Sequence, residues 1–199
     1  MRKLMMKMSI TVDGFVADSN GKNDWVFKNS DEKSRAWSVG QFWETDLIIM
    51  GRKSFEHMAP YWPTATGPFA APMNEIPKAL FTKKGFKGLN PVQSTTAEQS
   101  RAAASWSEAQ VFDGDLTEEI KKLKSEPGKP ILAIGGVGFM RSLIATGLID
   151  EYLLITHPVV LGGGLTIFNG VTQSFDLKLA EVKTFPGGIA AHVYRNSTT

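Results

Sequence analysis

The sequence predicts an α/β domain with a mostly parallel central sheet and helices on both faces. Three observations predict it. Two short apolar runs, Leu47-Ile48-Ile49-Met50 and Ile131-Leu132-Ala133-Ile134, have strand length and no polar alternation, the pattern of strands covered on both sides. Each run passes directly into a glycine turn and then a helix, Gly51-Arg52-Lys53-Ser54 in one case and Gly135-Gly136-Val137-Gly138 in the other. Finally, Lys178–Phe185 and Ile189–Arg195 alternate and are joined by Pro186-Gly187-Gly188, which reads as an antiparallel hairpin closing the sheet.

The remaining elements follow in chain order. Leu4–Val12 reads as a strand ended by the turn signal Asp13-Gly14, and a loop with a polar tip at Asp18–Asn23 follows. Ser30 is placed to cap a helix from Asp31 to Glu44, with Ala36, Val39, Phe42 and Trp43 at helical spacing. Ala59–Asn74 holds four prolines (Pro60, Pro63, Pro68, Pro72) and reads as a long irregular loop. Lys78–Thr82 is a third strand. Lys87–Glu108 is poorly patterned, with a short helix at Glu98–Ala104. Val111-Phe112 is a short strand, and Thr117–Ser125 an amphipathic helix with Ile120 and Leu123 inward, stopped by Pro127-Gly128. The helix Phe139–Thr146 ends at Gly147, where a left-handed cap is wanted. Tyr152–Thr156 is a further strand, broken by His157-Pro158.

The chain of 199 residues, 42% of them hydrophobic, suits one domain spanning 1–199. With 22 basic against 20 acidic residues the net charge is +2, which gives no ground for a nucleic-acid or membrane partner. Cysteine is absent, which excludes disulfides and thiolate metal sites. The start MRKLMMKM lacks an apolar core of signal-peptide length, so a soluble cytoplasmic protein is expected. His57, His157 and His192 lack ligand spacing, so no metal site and no histidine chemistry are expected.

Both strand–glycine–helix turns are anion sites in principle. Unpaired backbone N–H groups and the positive helix end face whatever lies above the turn, and glycine allows a pyrophosphate to come close. Gly51-Arg52-Lys53-Ser54 adds two cations and a hydroxyl, the donor set that phosphate recognition wants. Lys83 and Lys84, just past the third strand, are a further phosphate candidate. Leu161-Gly162-Gly163-Gly164 reads as a tight bend.

Taken in order, the pieces resemble a known family. Ser9-Ile10-Thr11-Val12-Asp13-Gly14, Asn23-Asp24-Trp25, Ile49-Met50-Gly51-Arg52-Lys53-Ser54-Phe55-Glu56, the Gly135-Gly136 turn, Gly147-Leu148-Ile149-Asp150-Glu151 and His157-Pro158-Val159-Val160-Leu161-Gly162-Gly163-Gly164 are similar to the dihydrofolate reductase superfamily. The branch is that of the reductase half of the bifunctional riboflavin-biosynthesis enzyme (RibD C-terminal domain-like) and its small stand-alone bacterial relatives. The resemblance implies a dihydrofolate reductase-like three-layer sandwich and an NADPH-dependent oxidoreductase, with a homodimer as its assembly. It implies that Gly51, Arg52, Lys53 and Ser54 grip the cofactor phosphates opposite Gly135, Gly136, Val137, Gly138 and Phe139. Thr82 and Lys83 then meet the adenosine 2′-phosphate, where relatives often carry Ser-Arg.

The implied substrate is a heterocycle, pyrimidine or pteridine-like. The nearest implied activity is reduction of 5-amino-6-(5-phosphoribosylamino)uracil; the alternatives are dihydrofolate reduction and a non-catalytic NADPH-binding protein. Phe15 stands where the riboflavin reductase usually has Lys, and Ile134 where it usually has Glu, so the groups that handle a phosphoribosyl chain there are missing here. Hydride transfer to such a substrate also calls for protonation of its nitrogen, by a carboxylic acid or an ordered water. The resemblance to dihydrofolate reductases puts the acid beyond a tryptophan, which here makes Asp31 the first candidate, followed by Asp13 and Asp24.

Overall fold

A computed structural model describes residues 1–89 and 94–197; part of the poorly patterned segment Lys87–Glu108 lies outside the described residues. Eight strands form one sheet: β1 (Leu4–Thr11), β2 (Leu47–Gly51), β3 (Lys78–Phe81), β4 (Gln110–Phe112), β5 (Ile131–Ala133), β6 (Glu151–His157), β7 (Leu177–Thr184) and β8 (Ala190–Asn196). Their order is β4-β3-β2-β5-β1-β6-β8-β7. Every pairing from β4 to β6 is parallel, and β8 runs antiparallel to both β6 and β7. The expected parallel sheet with a C-terminal hairpin is therefore what the chain forms.

Helices lie on both faces. Phe42 of α2 (Glu32–Trp43), Phe55 of α3 (Arg52–Met58), Met73 of α4 (Ala70–Glu75) and Trp106 of α5 (Ala97–Ser107) pack with Met5, Ile48, Met50, Leu80, Leu132 and Leu153. Ile120 and Leu123 of α6 (Leu116–Ser125) and Met140, Leu143 and Ile144 of α7 (Val137–Ala145) pack on the other face against Leu4, Met6, Ile49 and Ala133. A short α1 (Trp25–Lys28) precedes α2. Strands β1, β2 and β5 are covered on both sides, which is why their sequences run apolar without alternation.

Three expectations change. Asp31, not Ser30, caps α2: its carboxylate accepts from the Ser34 N–H at 2.7 Å, while the Ser30 hydroxyl donates back to the Val26 carbonyl at 2.8 Å. The proline-rich segment 59–74 is not irregular throughout, since it carries a 3-10 turn at Trp62–Thr64 and the start of α4. Pro63 and Pro72 fall in the first turn of a helix, where a missing N–H costs nothing. The glycine-turn helix starts at Val137 rather than Phe139. Gly147 does take the left-handed conformation, φ +67°.

A buried cation lies under this fold. Lys78 is 2% exposed, and its Nζ donates to the Asn74 carbonyl at 3.0 Å and the Ser105 Oγ at 2.6 Å. It also lies 4.9 Å from the Trp106 ring centre. Burial lowers its pKa from 10.5 to about 8. The folded value lies below the unfolded one, so between those pH values the unfolded chain holds a proton that the folded chain has lost. Stability therefore rises with pH across that window, by at most about 1.4 kcal/mol per pH unit for one lysine. In urea unfolding at pH 8 and pH 10, Lys78→Met shows a smaller rise than wild type; an equal rise in both refutes the assignment.

Candidate active site

The parallel strands β3, β2 and β5 are neighbours, so their C-terminal ends bring Thr82–Lys83, Gly51–Ser54 and Gly135–Phe139 to one edge of the sheet. Ligands of open α/β sheets bind at this edge. The two glycine turns stand side by side and in contact rather than facing each other across a gap. The Gly136 N–H donates to the Ser54 Oγ at 2.6 Å. A Cβ at Gly51 would lie 2.7 Å from the Phe139 Cβ, and one at Gly135 2.9 Å from the Ser54 Cβ. Gly135 also sits at φ +109°, a left-handed region that a side chain resists. Gly136 has φ −69°, so its glycine answers to space and not to backbone conformation.

No side chain caps α7. Its first-turn amides, at Val137, Gly138 and Phe139, precede the intrahelical ladder and are open to an anion. At Gly138 an added Cβ would meet nothing within 4 Å, which leaves room above the turn. Ser54 already accepts a hydrogen bond from the partner turn, so it joins the two turns as well as facing the site. Arg52 is also engaged: its Nε donates to the Glu56 carboxylate at 2.7 Å and its Nη1 to the Gly85 carbonyl at 3.2 Å. That second bond ties α3 to the loop after β3, where Lys83 and Lys84 are exposed. Phe81 stacks on Phe112 and on Phe139, with ring centres 5.0 and 5.4 Å apart, and forms the floor beneath these turns.

The carboxylates expected to donate a proton lie elsewhere and do other things. Asp13 accepts from the Thr11 hydroxyl at 2.5 Å and from the Leu161 and Gly162 amides at 3.0 and 2.7 Å. These bonds, Thr11 first, hold its pKa below the ordinary value. Asp31 accepts from the Ser34 and Gly187 amides, both at 2.7 Å, and those bonds likewise lower its pKa. Both groups stay ionised and fix loops together, which is the wrong direction for an acid. Asp24 is at the exposed start of α1 and makes no side-chain cap bond.

A residue outside the expected set fits better. Lys7 lies in the middle of β1, largely buried, with its Nζ 5.4 Å from the Phe42 ring centre. Among the described residues no hydrogen bond or ion pair reaches its ammonium, and burial lowers its pKa to about 8. Ser9 follows on the same face, and across the β1–β6 pairing Thr11 is level with His157. Lys7, Ser9 and His157 thus share one face of the sheet, the face on which Phe42 of α2 packs. Trp25 packs edge-on against His157, ring centres 5.2 Å apart. The signal for Lys7 was present in the sequence as a charge inside an apolar run, LMMKMSI. Alternation alone reads it as solvent-facing, and only the coverage of β1 on both sides makes it unusual.

The fold is that of a dihydrofolate reductase-like α/β protein, with two glycine turns joined at one edge of its sheet. The chain belongs to the RibD C-terminal domain family, whose model matches residues 2–191. It is 32% identical to "Uncharacterized protein YyaP" of Bacillus subtilis (strain 168) over 193 residues, 97% of this chain and 94% of that one. A diaminohydroxyphosphoribosylaminopyrimidine deaminase/5-amino-6-(5-phosphoribosylamino)uracil reductase of Thermotoga maritima matches 98% of this chain and 56% of its own, with TM-score 0.64 and 14% identity. A dihydrofolate reductase of Enterococcus faecalis, complexed with NADP(H), matches over 98% and 96% with TM-score 0.57 and 12% identity. Among the described residues no helix is long and apolar enough to cross a membrane, and no cluster of side chains could hold a metal ion.

The geometry separates strain from space at the glycine turn. Gly135→Ala places a side chain in a left-handed conformation against Ser54, at a cost of about 1–3 kcal/mol. A thermal melt shows this as a lower Tm than wild type. Gly138→Ala, in open space within α7, leaves Tm unchanged or raises it. Equal effects of the two substitutions refute the distinction.

Proposed function

We propose that the protein is an NADPH-dependent reductase of a nitrogen heterocycle, of the kind used in riboflavin biosynthesis, with 5-amino-6-(5-phosphoribosylamino)uracil the nearest implied substrate. The observation that carries the reading is the junction of two glycine turns at adjacent strand ends, with three uncapped amides of α7, together with a largely buried lysine, Lys7, whose ammonium no hydrogen bond or ion pair reaches among the described residues. The first feature suits a dinucleotide's phosphates and the second a substrate that takes up a proton. Family membership supports a riboflavin-pathway reductase role.

A nicotinamide cofactor bound along the β3–β2–β5 edge supplies the hydride. The Gly135 and Gly51 turns orient its phosphates through backbone N–H groups, and Lys53, Lys83 and Lys84, all exposed, add positive charge around it. Thr82 and Lys83 stand where a 2′-phosphate is expected. The Phe42 ring, 5.4 Å from the Lys7 Nζ, gives that ammonium an apolar neighbour. Lys7 would hold a proton for the nitrogen of the substrate's C=N bond, which in the named uracil is the open-chain imine form of its ribosylamino group, and would be reprotonated from solvent. An ammonium with a pKa near 8 is poised for this at neutral pH, whereas Asp13 and Asp31 are already ionised.

Two measurements test this reading. The lysines give more positive charge than a diphosphate needs, and each charged hydrogen bond contributes about 1.5–3 kcal/mol. NADPH therefore binds about tenfold or more tighter than NADH in a fluorescence titration, and equal affinities refute the assignment. In turnover assays with the uracil substrate, Lys7→Met lowers kcat by about 10²–10⁴ while NADPH affinity stays near wild type. Because the donor must be protonated, the wild-type rate falls as pH rises through about 8. A variant with wild-type kcat removes Lys7 from the chemistry.

A further inference from the structure

The end of the sheet away from the glycine turns holds an open cleft of about 670 Å³, within the size range of small-molecule sites. Its lining includes Lys3 just before β1, Asp150 and Glu151 at the start of β6, Lys178 near the start of β7 and Arg195 near the end of β8. Strands β2, β5, β1 and β6 run parallel. The cleft therefore lies at their N-terminal edge, whereas the glycine turns leave the C-terminal edge. Strand β6, Glu151–His157, spans about 20 Å between the two edges.

Residues directly opposite in a sheet point to the same face. Glu151 is level with Arg195, and Arg195 with Lys178, so these three side chains form one row. Glu151 is 8% exposed. Its Oε1 accepts from the Lys3 Nζ at 2.9 Å and from the Arg195 Nε at 3.1 Å, which pins two cations on one buried carboxylate. Among the described residues the other two guanidinium nitrogens of Arg195 make no hydrogen bond, and no hydrogen bond or ion pair reaches Lys178. Asp150 does not offset them, because its Oδ2 accepts from the Lys124 Nζ at 2.6 Å and the Leu4 N–H at 2.7 Å. Lys3, Lys178 and Arg195 against the single charge of Glu151 leave two positive charges in excess. Arg195 and Lys178 are opposed across the pairing, with Cβ atoms about 5 Å apart, and like charges so placed destabilise a sheet. An anion held between them removes that cost.

We propose that this cleft is a second ligand site, which takes the phosphate group of a small phosphate monoester. The Nη1 and Nη2 groups of Arg195 match two phosphate oxygens, and Lys178 donates from beside them. Glu151 is a positioning residue: by engaging Nε it leaves the rest of the guanidinium for the ligand. Above its second pKa of about 6 a phosphate monoester carries close to two charges, the number in excess here. A phosphodiester carries one. A dicarboxylate carries two but spreads them over separate groups, whereas Arg195 and Lys178 are side by side. The site lies at the opposite end of the sheet from the glycine turns and does not depend on the reductase reading.

The test titrates the full chain with methyl phosphate, dimethyl phosphate and succinate at neutral pH and low ionic strength, while 1H–15N spectra follow the Arg195 Nε–H. Methyl phosphate moves that resonance and binds about tenfold or more tighter than the other two. This readout needs no variant to fold. Lys178→Gln weakens methyl phosphate by about tenfold. Lys183→Gln removes the same charge from an exposed position further along β7 and leaves the affinity unchanged. A phosphate held at the glycine turns instead leaves the Arg195 resonance where it was, and that result overturns the proposal. Equal affinity for the three probes also overturns it, as does equal weakening by the two lysine variants, which reports only the general charge of the surface.

Discussion

The contact between the two glycine turns is the constraint on which the site depends. Strands β2 and β5 are hydrogen-bonded neighbours, so the helices that leave their ends start only one strand spacing apart, about 4.8 Å. Two helix starts fit that close only if the residues between them are small. Gly51 makes room for Phe139, Gly135 and Gly136 make room for Ser54, and the Ser54 Oγ closes the junction on the Gly136 amide. Small residues are thus needed by the packing before any ligand is considered. The uncapped amides of α7 are a by-product of the same arrangement, because no side chain can stand where a cap would go.

The layered fold was legible because its strands announce themselves. Leu47–Met50 and Ile131–Ile134 are apolar without alternation, and they do lie in the middle of the sheet. The C-terminal hairpin was equally clear from its alternation and its Pro-Gly-Gly turn. Capping was less so. Ser30 and Asp31 are both good N-cap residues, and which one serves depends on the arrival of Gly187 from the far end of the chain. The helix inside the proline-rich segment was hidden because proline breaks helices in their interior yet suits their first turn.

The site was half legible. The turns lie at strand ends in continuous sequence, so local pattern finds them. Lys7 and Ser9 meet His157 because β1 and β6 are paired, and Trp25 joins them by packing on His157, facts of topology that no spacing encodes. Asp31 and Asp13 illustrate the converse. A carboxylate near a suggestive tryptophan or turn has the right composition, but its role depends on what reaches it. Here backbone amides reach both of them, from about 150 residues away in each case.

The place of β1 also governs how the chain can reach its native state. β1 precedes the other strands in the chain yet pairs with β5 and β6, so its first partner is made only with residues 131–133 and its second with residues 151–157. Until then LMMKMSIT is an apolar strand with both edges bare. Lys7 is its one charged residue, and a charge there discourages pairing with another chain. Non-local pairing of this kind makes folding slow and prolongs exposure to aggregation. The lysine assigned to chemistry in the finished protein would then serve the nascent chain as a gatekeeper.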